Sequence, residues 1–176
     1  MRSSLGGGGG LRPPQPSPAR RARVPRLGRR GGGWVAAQVA LFALVVVSGW
    51  SGVYWPDAAA GWLAVAGLVL GLAGVVFLVA SFLSLGRALT PFPRPRGGVV
   101  ERGVYQAVRH PIYGAILLIA LGWSLAESPL GLVATALLAV LFDLKARLEE
   151  QWLEERGGAY ADYRRRTPWR FVPGLY

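Results

Sequence analysis

Two uncharged apolar runs constrain this chain more than any other feature. Trp34 to Trp55 contains no charged residue and only Gln38 as a strongly polar one, and Ala58 to Leu85 again carries no charge. At about 1.5 Å per helical residue, each run can cross a hydrocarbon core of about 30 Å. Inside such a core the backbone must satisfy its own hydrogen bonds, so both runs are expected to be helices. Trp34, Trp50, Trp55 and Trp62 lie at the edges of the runs, where an amphipathic ring prefers the membrane interface. Gly61, Gly67, Gly71 and Gly74 permit close helix approach in the second run, with Gly67 and Gly71 at small-xxx-small spacing.

Two shorter apolar runs follow, Pro111 to Ala126 and Pro129 to Phe142, separated by Glu127 and Ser128. Taken alone, each is short for a span and would suit a buried soluble hairpin. Behind two full spans, a tight helical hairpin inserted beside them is the expectation. Leu141, Leu144, Leu148 and Trp152 extend an apolar stripe at spacings of three and four, so the last helix should run to about Arg156 and leave the membrane near Asp143. The expected fold is all-α and integral to the membrane. Four transmembrane helices lie at about 34–55, 58–85, 111–126 and 129–156, the last two a short hairpin, in one domain over 34–176.

The charge distribution orients this arrangement. The formal net charge is +11, but eight arginines sit in residues 1–33, which hold no acid, five prolines and two glycine runs. Such a tail has almost nothing to bury and should be disordered. No fold for reading bases follows it, so an anionic membrane surface is expected as its partner rather than nucleic acid. The turns at 56–57 and 127–128 carry no base, whereas 86–110 and the chain end carry all the others. Every basic residue then falls on one side, which by the positive-inside rule is the cytoplasm. The chain is expected to be a multi-pass cell-membrane protein with both termini cytoplasmic. A signal peptide does not fit, because the charged leader is over-long and a second span follows directly.

Composition removes several chemistries. There is no cysteine, which excludes disulfides, thiolate metal sites and a cysteine nucleophile. His110 is the single histidine, so a catalytic or metal site needing two from one chain is excluded, and no metal is expected. What remains is concentrated in the 86–110 connection and the chain end, because unstructured connections of that length usually carry function or disorder.

His110 precedes Pro111 at the start of an apolar helix, and proline at the first helical position loses no hydrogen bond. The amides of Ile112, Tyr113 and Gly114 would then face the interface, where they can hold a carboxylate or phosphate, with Arg109 and His110 as further donors. The plainer alternative is that Arg109 and His110 anchor a helix end to lipid phosphates. Glu149 and Glu150 form the second candidate, since paired carboxylates accept from ribose hydroxyls or an ammonium. Equally, Lys145 with Glu149 and Arg147 with Glu150 would make ordinary surface ion pairs. Tyr160 and Tyr163, ahead of Arg164, Arg165 and Arg166, suit an interfacial anchor.

These residues carry a resemblance. Gly103-Val104-Tyr105, Arg109-His110-Pro111-Ile112-Tyr113, Glu149-Glu150, Leu153, Gly158, Tyr160, Tyr163 and Phe171-Val172-Pro173 resemble the isoprenylcysteine carboxyl methyltransferase and phospholipid methyltransferase superfamily. The likeness covers roughly residues 80–175. Two positions depart from the pattern: Ala115 stands where the family usually has glycine, and Val104 where proline is common.

The resemblance implies an S-adenosylmethionine-dependent methyltransferase whose cytoplasmic pocket is formed by the 86–110 connection and the C-terminal end. Arg109, His110, Tyr113 and Gly114 would line the cofactor site and Glu149 and Glu150 complete it, with Arg109, His110 and Glu150 placed closest to catalysis. The methyl acceptor would be membrane-borne and lipid-like, a carboxylate or an amine. Membrane sterol reductases share a similar histidine-proline-tyrosine element and would instead take NADPH, although asparagine commonly stands there where this chain has Ile112. A non-enzymatic membrane adaptor is the third alternative.

Overall fold

The computed structural model describes residues 32–85, 100–155 and 158–175. The arginine-rich tail through residue 31 and the 86–99 part of the long connection lie outside the described residues. Helices are the regular elements: α1 (Gly32–Val47), α2 (Asp57–Leu85), α3 (Pro111–Glu127), α4 (Pro129–Glu154) and α5 (Gly158–Arg166). Among the described residues, short 3-10 turns lie at Ser48–Trp50 and Gly103–Gln106.

Three segments are long and apolar enough to cross a membrane: Gly32–Trp50, Asp57–Leu85 and Pro129–Glu154. At 17 residues α3 is shorter. It is also the most enclosed helix. The large exposed apolar side chains of the helices, such as Val39 on α1, Leu68 and Val76 on α2 and Val133 on α4, all belong to its neighbours. On α4 this exposed apolar face ends at Val140 and resumes only at Trp152, consistent with the expected change of surroundings near Asp143.

α2 and α3 form the most extensive helix contact, and glycine makes it possible. A methyl on Gly67 would stand 2.9 Å from the Ala126 amide nitrogen, and one on Gly74 would stand 2.9 Å from that of Ile119. One on Gly122 would meet the Gly71 nitrogen at 2.6 Å. Space on α2 is therefore needed at a seven-residue interval rather than at the four-residue one: a methyl on Gly71 itself would point into open space. Ala115, at the departure from the family pattern, is fully buried, with its carbonyl against Gly74.

The α3–α4 turn is set by one residue. Ser128 precedes Pro129 and is accordingly extended, with φ −159° and ψ 136°. Its hydroxyl accepts from the Leu130 amide at 3.3 Å and donates to the Val53 carbonyl at 2.6 Å, tying the hairpin to the α1–α2 connection. Ser124 and Thr135 hydroxyls meet at 3.0 Å beside it, and Trp55 Nε1 donates to the Ser124 carbonyl at 3.2 Å. Trp50 and Trp62 are exposed as interface residues should be. Trp34 is not: it is buried with Val45, Leu138 and Phe142 in the core between α1 and α4.

At the opposite end, α2 terminates against the connection that leads into α3. Gly103 has φ +58°, a left-handed conformation that suits glycine, and lies against Ser84. Arg102 Nε donates to the Ser84 carbonyl at 2.7 Å. Lys145 on α4 reaches Gln38 on α1, so the start of α1, the end of α2, the start of α3 and the end of α4 share this end of the bundle. The four helices therefore alternate in direction.

Candidate functional site

The candidate site lies where α3 begins and α4 ends. Pro111 occupies the first helical position of α3, and His110 ahead of it has φ −126° and ψ 62°. That geometry exposes the backbone of residues 109–110 to the C-terminal segment. The Arg109 amide donates to the Trp169 carbonyl at 3.0 Å, and the His110 amide to the Arg170 carbonyl at 2.8 Å. The segment then crosses Gly114, where a methyl would stand 3.1 Å from the carbonyl carbon of Phe171. Gly114 is thus required for close approach. Its amide donates to the His110 carbonyl at 3.2 Å, so of the expected anion-binding trio this member is already engaged.

Charge at the site is organised around Glu150, which is only 3% exposed. Its Oε1 accepts from Arg109 Nε at 2.9 Å and from Arg170 Nε at 3.1 Å, and its Oε2 accepts from a terminal nitrogen of Arg170 at 2.9 Å. Arg109 also donates to the carbonyls of Thr167 and Pro168, at 2.7 and 2.6 Å. Arg170 reaches on to Asp143 at 2.9 Å. Two guanidinium groups share one buried carboxylate, and the C-terminal segment is fastened by both side chains. Removing either kind of partner would strand charge in a place with little water.

Glu149 is placed differently. A quarter of its side chain is exposed, and its Oε1 accepts from the Tyr113 hydroxyl at 2.7 Å. His110 stands between the two carboxylates: Nδ1 is 3.6 Å from Glu149 and Nε2 is 3.3 Å from Glu150. Among the described residues the buried Nε2 has no geometrically sound hydrogen bond. An aromatic stack holds the ring. His110 lies parallel to Tyr113 with centroids 5.5 Å apart, Tyr113 stacks on Phe142 at 4.6 Å, and Phe171 meets both edge-on.

A second layer comes from α5. Tyr160 and Tyr163 are buried rather than interfacial, and the Tyr163 hydroxyl donates to the Tyr105 carbonyl at 2.7 Å. Burial, reinforced by the charge of Glu149, pushes the Tyr105 phenol up to about 12. Tyr160 and Tyr163 are raised as well, first by burial. These phenols are therefore neutral packing groups at ordinary pH, and Tyr163 among them is also a donor.

Among the described residues, the alternative surface ion pairs of Lys145 with Glu149 and Arg147 with Glu150 do not form. Lys145 donates instead to Gln38 Oε1 at 3.2 Å and sits 5.1 Å from the Tyr113 ring centroid. Arg147 pairs with Asp143 at 2.7 Å, one turn back along α4. Glu149 and Glu150 instead face Tyr113, His110 and the two arginines.

A family model described as phospholipid methyltransferase matches residues 62–159, from the first turns of α2 to the start of α5. The chain belongs to this family. With its apolar helices, that makes it a membrane protein of a methyltransferase family. Relatives of the chain include the Delta(14)-sterol reductase TM7SF2 of Mus musculus, 37% identical over 81 residues that make up 42% of this chain and 19% of the relative. The cobalt-zinc-cadmium resistance protein CzcN of Cupriavidus metallidurans is 36% identical over 122 residues, 65% of this chain and 52% of the relative. The chain spans about a fifth of the first relative's length and about half of the second's.

Within this member of the phospholipid methyltransferase family, all six sequence-predicted site residues, Arg109, His110, Tyr113, Gly114, Glu149 and Glu150, come together at one bundle end. Arg170, Asp143, Phe142 and Phe171 join them without having been predicted as site residues. Phe171 stood within the closing motif that carried the resemblance. Arg170 counted only as one more orienting charge, and nothing in its spacing separates it from its arginine neighbours.

Proposed function

We propose that this protein transfers a methyl group from S-adenosylmethionine to a membrane-borne, lipid-like acceptor at the bundle end that holds His110. The observation that carries this proposal is His110 itself: an imidazole only 10% exposed lies between a quarter-exposed and a buried carboxylate, and its Nε2 has no sound hydrogen bond among the described residues.

The residues fit the cofactor's chemistry unevenly, and the difference assigns their roles. Glu149 has exposed carboxylate surface for ribose hydroxyls or an ammonium, and the exposed aromatic face of Trp169 suits an adenine or a sulfonium. Arg109 and Glu150 are enclosed by one another and by the C-terminal segment. They act as positioning residues, holding His110 and the 167–171 segment in place. When bound, S-adenosylmethionine supplies an electrophilic methyl on a positively charged sulfur. The protein's part is alignment, which can account for much of the rate in such a displacement. A carboxylate acceptor needs no base. An amine acceptor must lose a proton, and His110 and Glu149 are the groups positioned to receive it.

In this proposal α3 crosses the membrane beside the three longer apolar segments, giving four spans of the plasma membrane. The positive-inside charge distribution supports a cytoplasmic position for the site and both termini. The arginine-rich tail lies on anionic lipid head groups. The 86–110 connection and the C-terminal end close the pocket, and the acceptor enters sideways from the bilayer.

Calorimetry on the detergent-purified full chain, with S-adenosylmethionine and with NADPH, tests the proposal. S-adenosylmethionine should bind, and Glu149→Gln should weaken it about tenfold, a loss of about 1.4 kcal/mol. NADPH binding without a response to S-adenosylmethionine would instead favour the reductase alternative, which the likeness to the sterol reductase supports. Folded protein that binds neither would point to an adaptor.

A further inference from the structure

Most of the cations at the site end have carboxylate partners. Arg109 and Arg170 share Glu150, and Arg147 pairs with Asp143. Lys145 differs. Its ammonium donates to the neutral Gln38 Oε1 at 3.2 Å and stands over the Tyr113 ring at 5.1 Å. Among the described residues it forms no ion pair with a carboxylate. Of the acids flanking it on its own helix, Asp143 is paired with Arg147 and Arg170, and Glu149 is held by the Tyr113 hydroxyl and faces His110.

Its position adds to this. Lys145 is half-buried two residues beyond Asp143, just past the last lipid-type face of α4 at Val140, and Gln38 meets it from the apolar helix α1. A cation held at the margin of a low-dielectric region without a counter-charge attracts an anion more strongly than one in water does. Gln38 completes the recognition chemistry. Its carbonyl is used to present the ammonium, which leaves its amide N–H groups to donate to the same anion. The pair bridges α1 and α4, and Tyr113 links it directly to Glu149.

We propose that Lys145 and Gln38 form a subsite for the anionic oxygen group, carboxylate or phosphate, of a lipid lying along the α1–α4 seam. That the lipid is the methyl acceptor rests on the proposed function; the binding itself does not. The simpler account is that the Lys145–Gln38 hydrogen bond only fastens α1 to α4.

The full chain, reconstituted in phosphatidylcholine vesicles containing a minor fraction of oleic acid or of phosphatidic acid, separates the two. Lipid retained after detergent extraction is identified by native mass spectrometry. The wild type should retain oleate, phosphatidate or both in preference to phosphatidylcholine, and which of them it retains distinguishes a carboxylate from a phosphate source. Lys145→Gln should retain about tenfold less, Lys145→Arg should restore retention, and Gln38→Leu should give an intermediate loss. A folded Lys145→Gln that retains both anions like the wild type overturns the subsite. If Lys145→Gln does not fold, a wild type without preference for either anion over phosphatidylcholine overturns it equally. Calorimetry with S-adenosylmethionine on the same preparations keeps the two proposals apart. Anion retention without cofactor binding removes the acceptor role alone, and cofactor binding without anion retention removes the subsite alone.

Discussion

Arg109 Nε and Glu150 Oε1 meet at 2.9 Å where only 5% and 4% of the respective side chains are exposed. The pair joins the first residues before α3 to the last turns of α4, and Arg170 brings the C-terminal segment to the same carboxylate. Such a node is costly to break from one side. Glu150→Ala leaves the buried Arg109 guanidinium with only the Thr167 and Pro168 carbonyls, while half-buried Arg170 keeps Asp143, and should cost about 3 kcal/mol, the low end for one-sided loss of a buried ion pair. Glu150→Gln, which keeps an acceptor oxygen, should lose less. Thermal unfolding in detergent orders the variants; an Ala variant as stable as the wild type would show that the node does not hold the fold.

The same reasoning makes Glu149 the better probe of ligand binding. It is a quarter exposed and its bond to Tyr113 can be kept by glutamine. Glu149→Gln should leave the unfolding temperature within a few degrees of the wild type, as expected for a partly exposed position. Loss of S-adenosylmethionine binding in that variant would then report contact rather than unfolding.

Glycine positions on α2 give opposed outcomes. Gly67→Ala places a methyl against the backbone of α3, which cannot swing aside as a side chain can, and should cost about 1–3 kcal/mol by overpacking. Gly71→Ala and Gly61→Ala point into open space and should be neutral or slightly stabilising. Unfolding of the three single variants in one detergent makes the comparison. Equal losses at Gly67 and Gly71 would contradict the packing described.

Helices were the most legible feature of the sequence, because uncharged runs and Pro111 and Pro129 mark their limits without help from tertiary contacts. The expected bounds of the last three agree with the structure to within about two residues. The first is shorter than expected, since Ser48, Gly49 and Gly52 turn the chain before Trp55. Hydropathy is blind to such a stop, as the run stays uncharged throughout. At the site, motif spacing located His110 and the glutamates but not what they touch. Glu150 chooses Arg109 and Arg170 across long stretches of chain over Arg147 at helical spacing, and only the fold decides that competition. Tyr160 and Tyr163 were misplaced for a related reason: three arginines beside them suggest an interface, yet α5 turns its tyrosines inward and its arginines out.

Tyr105 predicts an alkaline limit. Folding favours its neutral phenol, whose ordinary value of 10.0 is raised to about 12. The stabilisation is complete below about pH 10 and is lost as pH rises through about 12. Tyr105→Phe cannot ionise and should shift the alkaline unfolding midpoint upward, with Tyr163→Phe as a second probe of the same layer. Circular dichroism against pH measures both. A midpoint unchanged in Tyr105→Phe would place the alkaline weakness elsewhere.

Membrane orientation can be read by labelling, because the chain has no cysteine to interfere. Ser128 marks the α3–α4 turn but is buried and bonded to Val53, so replacing it would disturb the hairpin. Glu127 beside it is exposed, and Arg165 on α5 is exposed at the opposite bundle end. If α3 crosses the membrane and the site faces the cytoplasm, Glu127→Cys should react with an impermeant maleimide added to intact cells. Arg165→Cys should react only after permeabilisation. Reaction of both in intact cells, or of neither, would rule out the proposed orientation. Reversal of the two would place the site, and the basic surface around α5, on the outer face against the positive-inside rule.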